Sequence, residues 1–280
     1  MKNLFLNKHF LPLRGVFFAL AAVLVITACA TNPYTGKSTM ALVDNNSLLA
    51  SSFTQYKQFL SENTVIIGTP EAAMVTRVGN RIRQAAEKWA ESVGQKQYLD
   101  SYQWEYNLVR SNEVNAWCMP GGKIVVYSGI LPVTKDETGL AVVMGHEVAH
   151  ALLNHGQQRA SAGILQDVGA TGLSIFTGNQ TQETQALAMT VYGAGSSVFG
   201  VLPFSRSHES EADQIGLILL TVAGYNPDMS VDFWERMASL GGGGTPEFLS
   251  THPSDTTRIS NLRKWIPESR QKAGAIGIIQ

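Results

Sequence analysis

The chain has 280 residues with a formal net charge of −1, and 44% of its residues are hydrophobic against 15% charged. This balance is typical of a globular domain with one sizeable core, and it excludes a disordered or low-complexity chain. No basic run stands out along the sequence, so the composition argues against nucleic acid as a partner.

Residues 1–28 are predicted to be a signal peptide. Three basic residues and no acidic ones precede an apolar run. This run is shorter than the roughly 20 residues needed to span a membrane. The run ends at Ile26-Thr27-Ala28-Cys29, which resembles the lipobox of bacterial lipoproteins. The alternative is an ordinary signal peptide followed by a chance cysteine.

The lipobox resemblance implies cleavage before Cys29 and lipid attachment to its thiol. The remaining chain would carry a formal net charge of −4 and has no polybasic segment, so lipid would be its contact with the membrane. Ala30, in place of an aspartate, implies sorting to the outer membrane in enterobacteria-like export. The expected location is therefore the bacterial cell envelope, facing the periplasm.

The rest of the chain divides into a polar tether over residues 29–47, one domain over residues 48–270 and a tail over residues 271–280. Helical patterns begin the domain at Ser47–Glu62 and Pro70–Ser92. In the second helix, apolar residues repeat at helical spacing and predict a core-facing stripe, formed by Met74, Val78, Ile82, Ala85 and Trp89.

A small sheet is predicted next. Residues 104–108 alternate between apolar and polar, Val114–Met119 is a second candidate strand, and Lys123–Tyr127 follows a Pro-Gly-Gly turn. Cys118 lies in this region without a disulfide partner once Cys29 is assigned to lipid. A buried inert thiol is the favoured interpretation, while a role as zinc ligand stays open.

His146–His150 form an HExxH pattern within an apolar run that is typical of a helix. Histidines four residues apart lie on one helical face, so both rings can reach one ion, and Glu147 can reach a water that the ion holds. The pattern indicates a zinc-dependent peptidase with Glu147 as general base. The alternative is a buried helix with an accidental histidine pair.

The ends of this helix are predicted from its flanks. Thr134 and Glu137 fit a capping box at its start, and Asn154-His155-Gly156 are expected to end it, with Gly156 in the left-handed conformation. Almost all positions between these limits are apolar, which predicts a buried helix. Buried polar groups need partners, and a metal would supply them.

Residues 157–204 are rich in glycine, alanine, serine and threonine, and helical pieces in a long insertion are expected there. Asp167 and several glycines argue against a transmembrane helix. The insertion could cover the active site as a lid or touch lipid, and the sequence leaves both interpretations open.

A catalytic zinc usually takes three protein ligands and one water. The metzincin pattern fails, because Gly156 stands where a third histidine is required. Glu209 and Asp213 are four residues apart on a second predicted helix, so one of them can bind the metal while the other orients a histidine ligand. The alternative is a solvated, charged first turn of that helix.

Five segments, in this order, resemble the HtpX-like and CAAX-prenyl-protease-type zinc metallopeptidases, and most of all their soluble bacterial lipoprotein branch, which is similar to mitochondrial Oma-type proteases. The segments are Asn32–Gly36, Asn115–Ile124, His146–His150, Glu209–Leu217 and Thr251–Ile259. The resemblance implies an α+β, zincin-like fold that is mainly helical, with a small sheet next to the HExxH helix.

The resemblance also implies one zinc ion per chain, with His146 and His150 among its ligands. It selects Glu209 over Glu211 as the third ligand and leaves Asp213 to orient a histidine.

The same resemblance places Asn115 and Ala116 beside the cleft, where an edge strand could pair with an extended substrate. His252 matches a histidine near the metal, which is either catalytic, stabilising the oxyanion, or a reversible fourth ligand that silences the enzyme. The alternative for His252 is a surface residue in a loop.

The expected function is a lipid-anchored zinc endopeptidase that degrades misfolded or misassembled envelope proteins. Its partners would be protein or peptide substrates and the membrane. The alternative is a chaperone or assembly factor for outer-membrane proteins with little or gated proteolysis, and a binding module with an inactive site comes third.

Overall fold

The computed structural model describes residues 29–32, 34–178, 180–196, 202–240, 246–252 and 256–277, so the predicted signal peptide lies outside the described residues. The strands are β1 (Cys29–Thr31), β2 (Ser38–Met40), β3 (Val65–Ile66), β4 (Glu105–Val109), β5 (Ala116–Met119) and β6 (Lys123–Tyr127). The helices are α1 (Asn45–Glu62), α2 (Pro70–Ser92), α3 (Leu131–Thr134), α4 (Glu137–Leu152), α5 (His155–Thr177), α6 (Gln182–Ser196), α7 (Leu202–Val222), α8 (Met229–Ser239), α9 (Glu247–Thr251) and α10 (Thr256–Ala275).

The main sheet has the strand order β3-β4-β6-β5, in which β4 and β6 are parallel and the other pairs are antiparallel. Strand β5 is an edge of this sheet among the described strands, and it packs against α4. The predicted α+β class, mainly helical with a small sheet beside the HExxH helix, is therefore confirmed.

Helix α4 is the centre of the core. Every residue from Gly139 to Leu152 is buried, because the helix packs against α2, α7, α8 and β5. The predicted stripe of α2 faces this core, with Val78, Ile82, Ala85 and Trp89 buried. The HExxH pattern thus lies on a helix that is enclosed along almost its whole length.

The predicted ends of α4 need correction. The cap is Asp136, whose side chain accepts a hydrogen bond from the Gly139 amide at 2.9 Å. Thr134 belongs to α3 instead, where its hydroxyl donates to the Leu131 carbonyl at 3.0 Å and is not available as a cap.

At the other end of α4, the left-handed residue is Asn154, with φ of 56°, and not Gly156. Asparagine tolerates this conformation because its short polar side chain can hydrogen-bond locally. The turn therefore takes only Leu153 and Asn154, and α5 begins directly at His155.

The described part of residues 29–47, predicted to be a tether, makes contacts with the domain. Strands β1 and β2 form a hairpin, and in its turn the buried Asn32 side chain donates to the Leu152 carbonyl at 3.4 Å. Further along, the Leu42 amide donates to Ser161 Oγ at 3.0 Å. At the opposite end, α10 runs past residue 270 and buries Ala273.

The segment 157–204 lies largely in α5 and α6, which pack against each other across a short connection. Several of their apolar side chains are exposed, including Val168, Ile175, Leu187 and Val191. Within the described residues, no helix combines the length and hydrophobicity needed to cross a membrane.

Helices α4 and α7 cross closely at two glycines. A Cβ atom on Gly145 would lie 3.1 Å from the Gly216 carbonyl oxygen, and one on Gly216 would lie 3.1 Å from the His146 backbone. The absence of both side chains lets the α7 backbone approach the first residue of the HExxH pattern.

Replacing Gly216 by valine is therefore expected to lower the free energy of unfolding by about 1–3 kcal/mol, as overpacking of a tight interior does. Urea denaturation of the purified protein measures this change. Gly163 is a matched control, because a Cβ there meets nothing within 4 Å, and Gly163→Val should stay within about 0.5 kcal/mol of wild type. Equal effects at both positions would show that the close crossing is unimportant for stability.

Candidate metal centre

Two helices and one loop bring four side chains together. Helix α4 supplies His146 and His150, helix α7 supplies Glu209, and His252 directly follows α9. One potential ligand atom from each of these side chains lies within 4.8 Å of the other three. The spacing of four residues places the two α4 histidines on one helical face, as expected.

Glu209 links the three histidines. Its Oε1 lies 3.2 Å from His150 Nε2, while its Oε2 lies 3.3 Å from His146 Nε2 and 2.9 Å from His252 Nδ1. The Nε2 atoms of His146 and His150 are 3.1 Å apart. Imidazole nitrogens and a carboxylate oxygen are the donors that zinc prefers, so the residues fit a zinc-type metal site.

Burial and hydrogen bonding shift the pKa values of three side chains in the cluster. Burial opposes the charge on Glu209, but hydrogen bonds with the three histidines hold its pKa well below the usual value. Burial lowers the pKa of His150 far below its usual value, which leaves a neutral ring that can act as a ligand. At His146 burial acts in the same direction, but hydrogen bonds to Asp213 and Glu209 outweigh it and raise the pKa to about 9.

Asp213 lies behind His146, on the side away from the cluster. Its Oδ1 is 3.0 Å from His146 Nδ1 and accepts a hydrogen bond from Arg258 Nη2 at 2.6 Å. The Arg258 guanidinium lies over the Trp234 ring, 3.3 Å from its centroid. Asp213 is thus placed to fix the direction of the His146 ring. Arg258, which contacts Asp213, and Trp234, which contacts Arg258, were given no role from the sequence.

Glu147 is buried beside the cluster, and no described residue hydrogen-bonds to its Oε1. This oxygen lies 3.4 Å from His252 Nε2. His252 therefore stands between the candidate general base and the carboxylate of Glu209, and its side chain is only 13% exposed. Its position is inside the cluster and not on an open surface loop.

Two further histidines lie next to the cluster. His155 Nδ1 is 2.9 Å from His150 Nδ1, and the His155 ring stacks on His208 with centroids 3.9 Å apart. A hydrogen bond from His155 is the main cause that lowers the pKa of Glu211 to about 2. From the sequence, His155 was expected only in the segment that ends the HExxH helix, because the turn at Asn154 that aims it back at His150 is not visible there.

The remaining predicted residues lie on or near β5. Burial raises the pKa of the Cys118 thiol well above its usual value, as expected for an inert thiol, and the four-residue cluster does not include it. Asn115 Oδ1 accepts the Ala116 amide at 2.9 Å at the start of this edge strand. Cys29, the predicted site of lipidation, is exposed in β1.

A buried helix with an HExxH pattern, together with a glutamate from a second helix, is typical of zinc-type metallopeptidases. The sequence pattern of peptidase family M48 matches residues 77–266. The chain belongs to peptidase family M48, and its class is that of a metalloendopeptidase.

Several relatives are similar over much of the chain. The mitochondrial metalloendopeptidase OMA1 of Saccharomyces cerevisiae is 29% identical, in an alignment that covers 96% of this chain and 78% of the relative. The OMA1 metalloendopeptidase of Homo sapiens is also 29% identical, over 94% of this chain and 50% of the relative. The beta-barrel assembly-enhancing protease of Escherichia coli is 31% identical, over 57% of this chain and 34% of the relative. The chain thus spans between a third and about four fifths of these proteins.

Proposed function

We propose that the protein is a zinc-dependent endopeptidase of the bacterial cell envelope, anchored by lipid on Cys29 and facing the periplasm, with the outer membrane as its location. Its substrates would be misfolded or misassembled envelope proteins. The observation that carries the proposal is the convergence of two imidazoles and one carboxylate beside the unbonded carboxylate oxygen of Glu147.

One zinc ion would be held by His146, His150 and Glu209. When bound there, zinc acts as a Lewis acid that polarises a peptide carbonyl and makes water more acidic. Asp213 would keep the His146 ring in the orientation and tautomer that a ligand requires, because it accepts the Nδ1 proton.

Glu147 would act as the general base. Its Oε1 is buried and has no hydrogen-bond donor among the described residues, so it is available to take a proton from the attacking water. The same carboxyl group would then deliver that proton to the leaving amine. His252, whose Nε2 lies 3.4 Å from Glu147 Oε1, belongs to the same donor cluster and would act as a fourth ligand that moves aside before cleavage.

The edge strand β5 offers a place for an extended substrate. Ala116, the first residue of β5, donates its amide to the Asn115 side chain, and β5 pairs with β6 on one side only among the described strands. A peptide that added a strand here would lie next to α4, where the candidate base and ligands are.

The proposal is tested by metal content and cleavage together. The purified protein should contain about one zinc per chain and cleave casein, and a chelator should remove both properties. Added zinc should restore cleavage and raise the melting temperature, because a ligand that binds only the folded state stabilises it. Zinc-loaded protein that leaves casein and unfolded envelope proteins intact would contradict the endopeptidase assignment.

A second candidate function is assembly of outer-membrane proteins with little or gated proteolysis. The name of the Escherichia coli relative, a beta-barrel assembly-enhancing protease, favours it. The two functions are separated by expressing Glu147→Gln in a deletion strain with an envelope defect. Full rescue would support the assembly function, and failure to rescue would support proteolysis.

A further inference from the structure

The two ring nitrogens of His150 face different surroundings. Nε2 faces the cluster, 3.2 Å from Glu209 Oε1 and 3.1 Å from His146 Nε2. Nδ1 faces away from it, 2.9 Å from Nδ1 of the buried His155. If His150 binds a metal, Nε2 is therefore the ligand atom and Nδ1 carries the proton.

This assignment also determines which nitrogen of His155 carries a proton. A protonated His150 Nδ1 needs an acceptor, so His155 Nδ1 must be the nitrogen without hydrogen. The proton of a neutral His155 is then on Nε2, which lies 3.4 Å from Glu211 Oε2. Only one arrangement of protons satisfies both contacts.

Glu211 also contacts a residue outside the core. Its Oε1 forms an ion pair with Lys37 Nζ, at the end of the β1–β2 turn. The carboxylate side chain is 20% exposed, whereas the His155 side chain is fully buried. A hydrogen-bonded series thus runs from the hairpin, through Glu211 and His155, to His150.

We propose that His155 is a positioning residue that fixes the tautomer and direction of the His150 ring for metal binding, with Glu211 as the acceptor that fixes His155. The inference rests on the proposed function, because it takes His150 as a metal ligand. From the sequence, the family resemblance selected Glu209 over Glu211 as the third ligand and left Glu211 without a role. In the structure Glu211 meets His155.

Zinc affinity and the absorption spectrum of the cobalt-substituted protein test this role. His155→Phe keeps a buried ring but removes the acceptor, and it should weaken zinc binding by about 10–100-fold and change the cobalt spectrum, as loss of such hydrogen bonds does in other metal sites. His155→Asn places an oxygen near the position of Nδ1 and should restore affinity to within about threefold of wild type. Glu211→Leu, nearer the surface, should weaken binding by about tenfold.

His208→Phe is the matched control, because it keeps a ring that can stack on His155 and removes the hydrogen bond from His208 Nε2 to Gln158, in which His150 takes no part. Its zinc affinity and cobalt spectrum should equal those of wild type. Unchanged affinity in both folded His155→Phe and Glu211→Leu would overturn the inference while leaving the proposed function intact. Wild-type protein that binds no zinc would overturn the proposed function itself. Should His155→Phe fail to fold, Glu211→Leu and His155→Asn decide the question.

Discussion

Replacing Glu147 by glutamine is expected to lower peptidase activity by about 10²–10⁴-fold, the range typical for loss of a general base. Glutamine has nearly the shape of glutamate but cannot take a proton from water. Because Glu147 does not belong to the four-residue donor cluster, zinc content should remain at about one per chain. Steady-state cleavage of a fluorogenic peptide and metal analysis of the same sample measure both quantities.

Glu137→Gln is the control for this substitution. Glu137 is on the same helix but near its exposed start, where it pairs with Arg77. The control should keep wild-type activity. If Glu147→Gln cleaves as fast as the control, Glu147 is not the base and another group must activate water.

Replacing His252 by alanine is expected to raise peptidase activity by about tenfold, if the closed form of the free enzyme outweighs the open form by about ten to one. His252 Nδ1 lies 2.9 Å from Glu209 Oε2, and its Nε2 points towards Glu147. Removing the ring would open the place where water and a peptide carbonyl must enter. Initial rates at saturating substrate measure the change.

Ser250→Ala, at an exposed position of the short helix α9 that precedes His252, is the control and should behave as wild type. The competing role for His252, donation of a hydrogen bond to the oxyanion, makes the opposite prediction. Loss of such a donor slows cleavage by about 10²–10³-fold. A fall of that size in His252→Ala would reject the silencing role and establish the catalytic one.

Local periodicity accounts for the parts of the fold that were predicted. The repeat of apolar residues in α2, the alternation before the HExxH helix and the continuous apolar run of α4 each depend on neighbours within a few turns. The same spacing rule brought His146 and His150 to one face. The end of α4 was misplaced, because several residues there can adopt the left-handed conformation and the choice of Asn154 is made by tertiary packing.

The contacts that hold the candidate site could not be predicted in this way. Arg258 reaches Asp213 from a helix that begins more than forty residues later, and Trp234 supports it from yet another helix. The contact between His155 and His150 could be predicted only if the conformation of the turn before His155 were known. Such contacts join distant segments, and a single sequence contains no periodic pattern that reports them.

The packed β1–β2 hairpin has a consequence for the substrates within reach. A fully extended chain over residues 29–47 would let the domain wander roughly 60 Å from an anchor at Cys29. Because Asn32 is hydrogen-bonded to the end of α4, most of this segment lies against the domain and adds little to its distance from the anchor. A lipid on Cys29 would then confine the enzyme to a thin layer at the bilayer surface. The rate at which a protein is cleaved would depend on the time that it spends in that layer. Its concentration elsewhere in the compartment would have little effect on this rate.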